Sequence, residues 1–115
     1  MSALPDLKAD AVSAFTNSTS GVSLIDFWAP WCGPCIAQTP TLDALSSEFE
    51  GQIRMAKVNI DNAAELAQTH SIRGVPTLIL FEDGKPISQK VGLQSKSSLQ
   101  AWLSQAVLQH QQRSA

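Results

Sequence analysis

Apolar residues fall along this chain in short strand-like runs that alternate with helical stripes. Val22-Ser23-Leu24-Ile25-Asp26-Phe27-Trp28 is one such run and reads as a buried strand. Ahead of it, Val12 and Phe15 sit three apart and predict a short helix over about residues 8–17. The polar stretch Asn17-Ser18-Thr19-Ser20-Gly21 predicts the turn between the two. Leu42, Leu45 and Phe49 recur at i, i+3 and i+7, so a long helix should start near Pro34 and stop at Gly51. Pro40 inside it predicts a kink.

Residues 53–60 predict a second strand. Asn62 with Glu65 has capping-box spacing for a short helix ending near His70. Residues 75–81, rich in β-branched side chains, predict a third strand. Glu82-Asp83-Gly84-Lys85 is a hairpin signal, with residues 87–91 as the partner strand. Ser95 caps a last helix whose stripe Leu99, Trp102, Leu103, Ala106 and Val107 should lie on a sheet, and the polar tail 109–115 should fray. Strands alternating with helices predict an α/β fold with parallel pairing and one antiparallel hairpin near the end.

At 115 residues the chain predicts one domain, 1–115. Its 43% apolar and 16% charged content suits a domain with a real core. A net charge of -2 gives no reason to expect nucleic acid or an anionic membrane as partner. No apolar run approaches the length of a membrane span. Residues 1–10 carry Pro5, Asp6, Lys8 and Asp10 without an apolar core, so no secretory signal is read there and a cytoplasmic setting is expected.

Chemistry concentrates at Trp31-Cys32-Gly33-Pro34-Cys35, directly after the first strong strand. These are the only two cysteines, so neither a disulfide scaffold nor a four-thiolate zinc site is available. The pair can be a reversible redox couple, a metal clip with His70 or His110, or an inert structural disulfide; the cytoplasmic expectation favours the first. Asp26 is a carboxyl inside an apolar run. Burial would raise its pKa; the alternatives are an exposed strand residue or an ion pair with Lys57. Phe27, Trp28, Phe81 and Trp102 read as core, and His70 and His110 as surface polar residues.

Phe27-Trp28-Ala29-Pro30-Trp31-Cys32-Gly33-Pro34-Cys35, the strand Ala56-Lys57-Val58-Asn59-Ile60-Asp61 and the loop Ile72-Arg73-Gly74-Val75-Pro76-Thr77 together resemble the thioredoxin family of the bacterial-like WCGPC type. Gly84 and Gly92 fall where that family carries glycines. The resemblance runs from about Val22 to Val107, and residues 1–20 match the family poorly. It implies a central mixed sheet of four to five strands flanked by about four helices. It implies a protein-disulfide reductase in which Cys32 attacks, Cys35 resolves and Asp26 accepts the Cys35 proton beside Lys57.

A helix beginning near Pro34 would direct free N–H groups at the Cys32 sulfur and favour its thiolate. Gly33-Pro34 would stiffen the ring at a reducing poise. Pro76 would be cis, and Trp31, Ile36, Gly74, Val75 and Gly92 would form the substrate face. The resemblance also implies no bound cofactor, recycling from NADPH through a flavoprotein thioredoxin reductase, protein substrates that contain disulfides, and a monomer. A thioredoxin-fold binding module and an oxidase or isomerase of an oxidising compartment are the rival readings. The chain departs from the family at Pro5, where a first strand is expected; at Ile36, where Lys or Arg is common; and at His70, where Tyr is common.

Overall fold

The computed structural model of the chain describes residues 3–17 and 21–114. Four strands, β1 (Val22–Trp28), β2 (Ile53–Asn59), β3 (Thr77–Glu82) and β4 (Lys85–Val91), make one mixed sheet in the order β2-β1-β3-β4. Four helices accompany them: α1 (Val12–Asn17), α2 (Gly33–Glu48), α3 (Ala64–Thr69) and α4 (Lys96–Ser114). The expected turn before β1 falls mostly on residues 18–20, outside the described residues.

β1 sits at the centre and is buried from Val22 to Phe27, which is why its sequence reads as a continuous apolar run. Leu24, Leu42, Leu45, Leu80, Leu99 and Leu103 fill the layer on one face of the sheet. Val12, Ile25, Phe27, Val58, Ile79 and Phe81 fill the layer on the other.

Only β1 and β2 pair in parallel; β3 runs antiparallel to β1, and β4 to β3. Strand–helix alternation predicts the β1–β3 pairing wrongly, and helix length gives the reason. The sixteen-residue α2 is long enough to carry the chain back along the sheet, so β2 starts where β1 starts. The six-residue α3 spans only about 9 Å. The chain cannot return, and β3 begins at the carboxyl end of β1, with Thr77 opposite Phe27. This brings the segment before β3 next to the segment after β1.

Other boundaries follow from local chemistry. The predicted first strand shrinks to one parallel bridge of Asp6 with Lys57, held by Leu7 N–H to Lys57 O (2.8 Å) and Lys57 N–H to Pro5 O (2.9 Å). Pro5 has no N–H to extend the ladder. The helix predicted over 8–17 is a 3-10 turn, Ala9–Ala11, leading into α1. α2 continues unbroken through Pro40 and ends at Glu48, with Gly51 beyond it at φ 83°. Asn62 caps nothing: a 3-10 turn, Ile60–Asn62, intervenes, and the Asn59 side chain accepts the Asp61 N–H at 2.9 Å. Asp83 (φ 52°) and Gly84 (φ 87°) form the two-residue hairpin turn. β4 begins at Lys85, with a bulge opposite Leu80/Phe81 beside Pro86, on the sheet edge where proline is tolerated.

α4 does not fray after Leu108. Glu82 accepts His110 Nδ1 at 2.7 Å and Arg113 Nη2 at 2.8 Å, which ties the last turns to β3. His110 therefore has a structural partner. His70 is not simply a surface residue either: its ring lies edge-on to Phe81 (5.6 Å between centroids) and tilted to Phe27 (5.9 Å). Trp102 is half-buried, its Nε1 donating to Ser88 Oγ at 2.9 Å.

Gln38 is fully buried in α2 and holds the loop before α4 at both ends of its amide. Its Nε2 donates to Gln94 O (3.0 Å) and its Oε1 accepts Gln94 N–H (2.8 Å). Gln38→Leu strands both backbone groups and should destabilise the protein by about 2–4 kcal/mol in a urea melt, with an unchanged m-value.

Burial lowers the His70 pKa, so the folded protein holds this imidazole neutral more firmly than the unfolded chain does. The stability it contributes is complete above about pH 6.5 and is lost as pH falls through the lower folded value. Urea midpoints at pH 5 and pH 7.5 should show a smaller acid loss in His70→Phe than in the parent. Equal losses would remove His70 as the cause.

Candidate active site

The chain leaves β1 through Ala29-Pro30-Trp31 and turns at once, with Cys32 N–H bonded to Ala29 O at 3.1 Å. Cys32 is extended (φ −96°, ψ 110°) and caps α2. Gly33 opens the helix, and Pro34 occupies the first turn, where its missing N–H is no loss. The Cys35 N–H points back to Cys32 Sγ at 3.2 Å, so a free amide at the positive end of the helix addresses that sulfur. Cys32 and Cys35 are joined in a disulfide, with their Cα atoms 5.3 Å apart.

Both cysteines are nearly covered, Cys32 at 5% and Cys35 at 2% exposure. What distinguishes them is the groove, of about 500 Å³, which Cys32 lines and Cys35 does not. Trp31, Gly33 and Pro34 form one wall, and Ile72, Arg73, Gly74 and Val75 the other. The second wall is the segment that the short α3 delivers to this end of the sheet. Its Val75-Pro76 peptide is cis, and the Val75 carbonyl lies 3.6 Å from Cys32 Sγ. Thr77 Oγ1 donates to Gly74 O at 2.6 Å, and Gly92 N–H to Pro76 O at 2.8 Å, which fixes the wall from both sides.

Gly92 has φ 87°, so a side chain there would be strained. A Cβ at Gly33 would meet nothing within 4 Å, so what its smallness preserves is open space in front of the disulfide. Trp31 (67% exposed) and Ile36 (58% exposed) stand apolar at the surface beside it.

Asp26 is 3% exposed, between Lys57 on β2 and Leu78 on β3 in the strand register, and its Oδ1 has no hydrogen-bond partner among the described residues. Desolvation pushes its pKa up to about 7; attraction to Lys57 pulls it down by less, and Asp6 adds a smaller push upward. The Lys57 ammonium lies over the Trp28 ring, 4.6 Å from the centroid, and Trp28 packs against Ala29 and the two cysteines. Asp26 is therefore not an exposed strand residue.

Sequence reasoning missed Asp61, whose Oδ1 accepts Trp31 Nε1 at 3.1 Å and so orients the groove's main aromatic wall. Nothing in the spacing of thirty residues announces that contact. It also missed Arg73, the cation in the groove wall, although the residue lies within a segment already singled out. No group of three or more His, Cys, Asp or Glu side chains is placed to hold a metal among the described residues. No described helix is long and apolar enough to cross a membrane.

Comparison with known proteins agrees with this geometry. Residues 6–105 match the family model described as Thioredoxin. A thioredoxin of Rickettsia felis is 42% identical over 84 residues, covering 73% of this chain and 80% of the relative. A thioredoxin of Pseudomonas aeruginosa is 43% identical over 83 residues, covering 72% of this chain and 77% of the relative. One from Staphylococcus aureus is 42% identical over 80 residues, covering 70% and 77%. The family match thus reaches back to Asp6, into the segment whose strand shrank to a bridge.

The raised Asp26 pKa has a definite sign. The folded state keeps a proton that the unfolded chain loses near pH 4, so stability falls as pH rises from there to about 7 and then levels off. Asp26→Ala should therefore be the more stable protein at pH 8, by on the order of 2 kcal/mol after the lost packing is set against the relieved charge. At pH 4 the advantage should vanish. Urea melts of the oxidised protein at both values measure this, and a variant weaker than the parent at pH 8 would refute it.

Proposed function

This chain belongs to the thioredoxin family, and from that membership we propose how its residues divide the work of reducing a disulfide. It is a thiol-disulfide oxidoreductase that reduces protein disulfides through the Cys32/Cys35 couple. The family needs no bound cofactor for this chemistry.

In the reading proposed, Cys32 is the nucleophile. The observation that carries this assignment is the Cys35 N–H directed at Cys32 Sγ at the start of α2, with Cys32 and not Cys35 lining the groove. Helix N–H groups stabilise the thiolate, which alone attacks a disulfide. Cys32 S⁻ displaces one sulfur of the substrate disulfide as thiolate and forms a mixed disulfide. Cys35, deprotonated, then attacks Cys32 sulfur and releases the second substrate thiolate. Two electrons pass to the substrate and the ring closes.

Asp26 accepts the Cys35 proton. A carboxyl with a pKa of about 7 is half ionised at neutral pH and can both take and return a proton there. Lys57 steadies its ionised form, and Gly33-Pro34 limits the motion of the ring. Trp31, Ile36, Gly74, Val75 and Gly92 receive the substrate around Pro76. The Val75 N–H has no hydrogen-bond partner among the described residues, which suits an extended substrate laid along the wall.

A flavoprotein thioredoxin reductase, supplied by NADPH, returns the oxidised ring to the dithiol. The partners are that reductase and disulfide-containing proteins, the chain acts as a monomer, and its compartment is the cytoplasm. The binding-module alternative uses the same face without turnover.

Insulin reduction with dithiothreitol as electron source separates the two functions. Cys32→Ser should lose at least about 1,000-fold in rate, falling to the uncatalysed background. Cys35→Ser should accumulate a mixed disulfide visible by mass spectrometry. Turnover unchanged in Cys32→Ser would reject the assignment.

A further inference from the structure

Asp6, Lys57 and Asp26 stand in one register line. Asp6 bridges Lys57 in parallel, and Lys57 pairs in parallel with Asp26. Residues in register on neighbouring strands put their side chains on the same face, about 4.8 Å apart per strand. Lys57 thus stands in register between two carboxyl-bearing residues, one exposed and one buried, while its ammonium lies over the Trp28 ring. We propose that Asp6 is a positioning residue for the Asp26 proton: its exposed carboxylate, on the same face of the sheet two strands away, opposes a second negative charge on that line and so holds the proton on Asp26.

The charged groups on the helices packed over the sheet have partners of their own. β3 presents Leu78. On α2, Asp43 accepts the Ala3 N–H and Glu48 is held by Lys96 and Gln100. On α4, His110 and Arg113 are engaged with Glu82. The cysteine pair does not titrate while oxidised. The upward push of Asp6 on Asp26 agrees with this placement. The placement itself depends on the Pro5–Leu7 backbone bonds to Lys57, which fix Asp6 beside that residue. The segment whose sequence fits the family pattern least well thus faces Asp26 across the sheet.

The inference rests on Asp26 being the proton acceptor only for its effect on rate; its effect on the Asp26 titration stands apart. The test is a carboxyl-¹³C NMR titration of oxidised full-length protein, parent against Asp6→Asn and Asp6→Glu. A unit charge two strand spacings away, roughly 10 Å, should move Asp26 by about 0.3–1 pH unit, between water-like and protein-interior screening. Asp6→Asn should therefore titrate lower by that amount and Asp6→Glu like the parent. The gap between parent and Asp6→Asn should close in 1 M NaCl, because the outer charge is exposed. Asp26 titrating alike in parent and Asp6→Asn at low salt overturns the proposal, as does a gap that persists in 1 M NaCl. The pH profile of insulin reduction, read with the same variants, tests the other premise. If the titration moves and the rate profile does not, the coupling holds and Asp26 is not the proton acceptor.

Discussion

A central strand with no solvent face is the constraint on which the rest of this molecule depends. β1 is hydrogen-bonded on both edges and covered on both faces, and it carries a carboxyl group. Asp26 is almost wholly withdrawn from water, so its charge must be managed largely by what the neighbouring strands supply, and the register supplies Lys57. The same strand delivers its chain directly into Cys32 and the first turn of α2. Burial of the acid and presentation of the thiols are thus consequences of one placement. Moving β1 to an edge would expose the carboxyl to water, and its pKa would return toward the ordinary range.

The second wall of the groove depends on a shortage of length. Because α3 is too short to run back along the sheet, β3 starts at the end where β1 and β2 finish. Val75 therefore lies across from Cys32. A helix as long as α2 at that point would have returned the chain to the far end and left the disulfide with one wall. Loop residues from distant parts of the sequence then lock the assembly: Gln38 holds Gln94, and Pro76 O holds Gly92.

What the sequence revealed follows from which signals are local. Continuous apolar runs located β1 and β3, Ser95 and Pro34 marked helix starts, and Asp83-Gly84 marked the hairpin. Cysteine spacing and the WCGPC and GVPT segments located the site through resemblance. Strand direction was misread because alternation of element types says nothing about whether a helix is long enough to return. The end of α4 was misread because the polar residues past Leu108 are anchored by Glu82, twenty-eight positions before His110. Asp61 under Trp31, and His70 between two phenylalanines, were likewise invisible: each is defined by a partner that only the fold brings near.

The departures from the family pattern bear on the site's electrostatics. Ile36 puts an apolar side chain where the family resemblance leads one to expect a cation, beside the N-terminus of α2 that Cys32 caps. The helix N–H groups are then the nearest source of positive potential at that sulfur, and they belong to backbone that does not depend on side-chain identity. At the buried end, Asp26 has Lys57 in register on the next strand and Asp6 one strand further out. In the mechanism proposed, thiol activation thus relies on fixed backbone dipoles, while the proton acceptor is tuned by side chains that ionise and that salt can screen. In a chain built this way, ionic strength should act on the resolving step more than on the attack. Asp26 is reached by long-range charge, whereas Cys32 is served by an amide in direct contact.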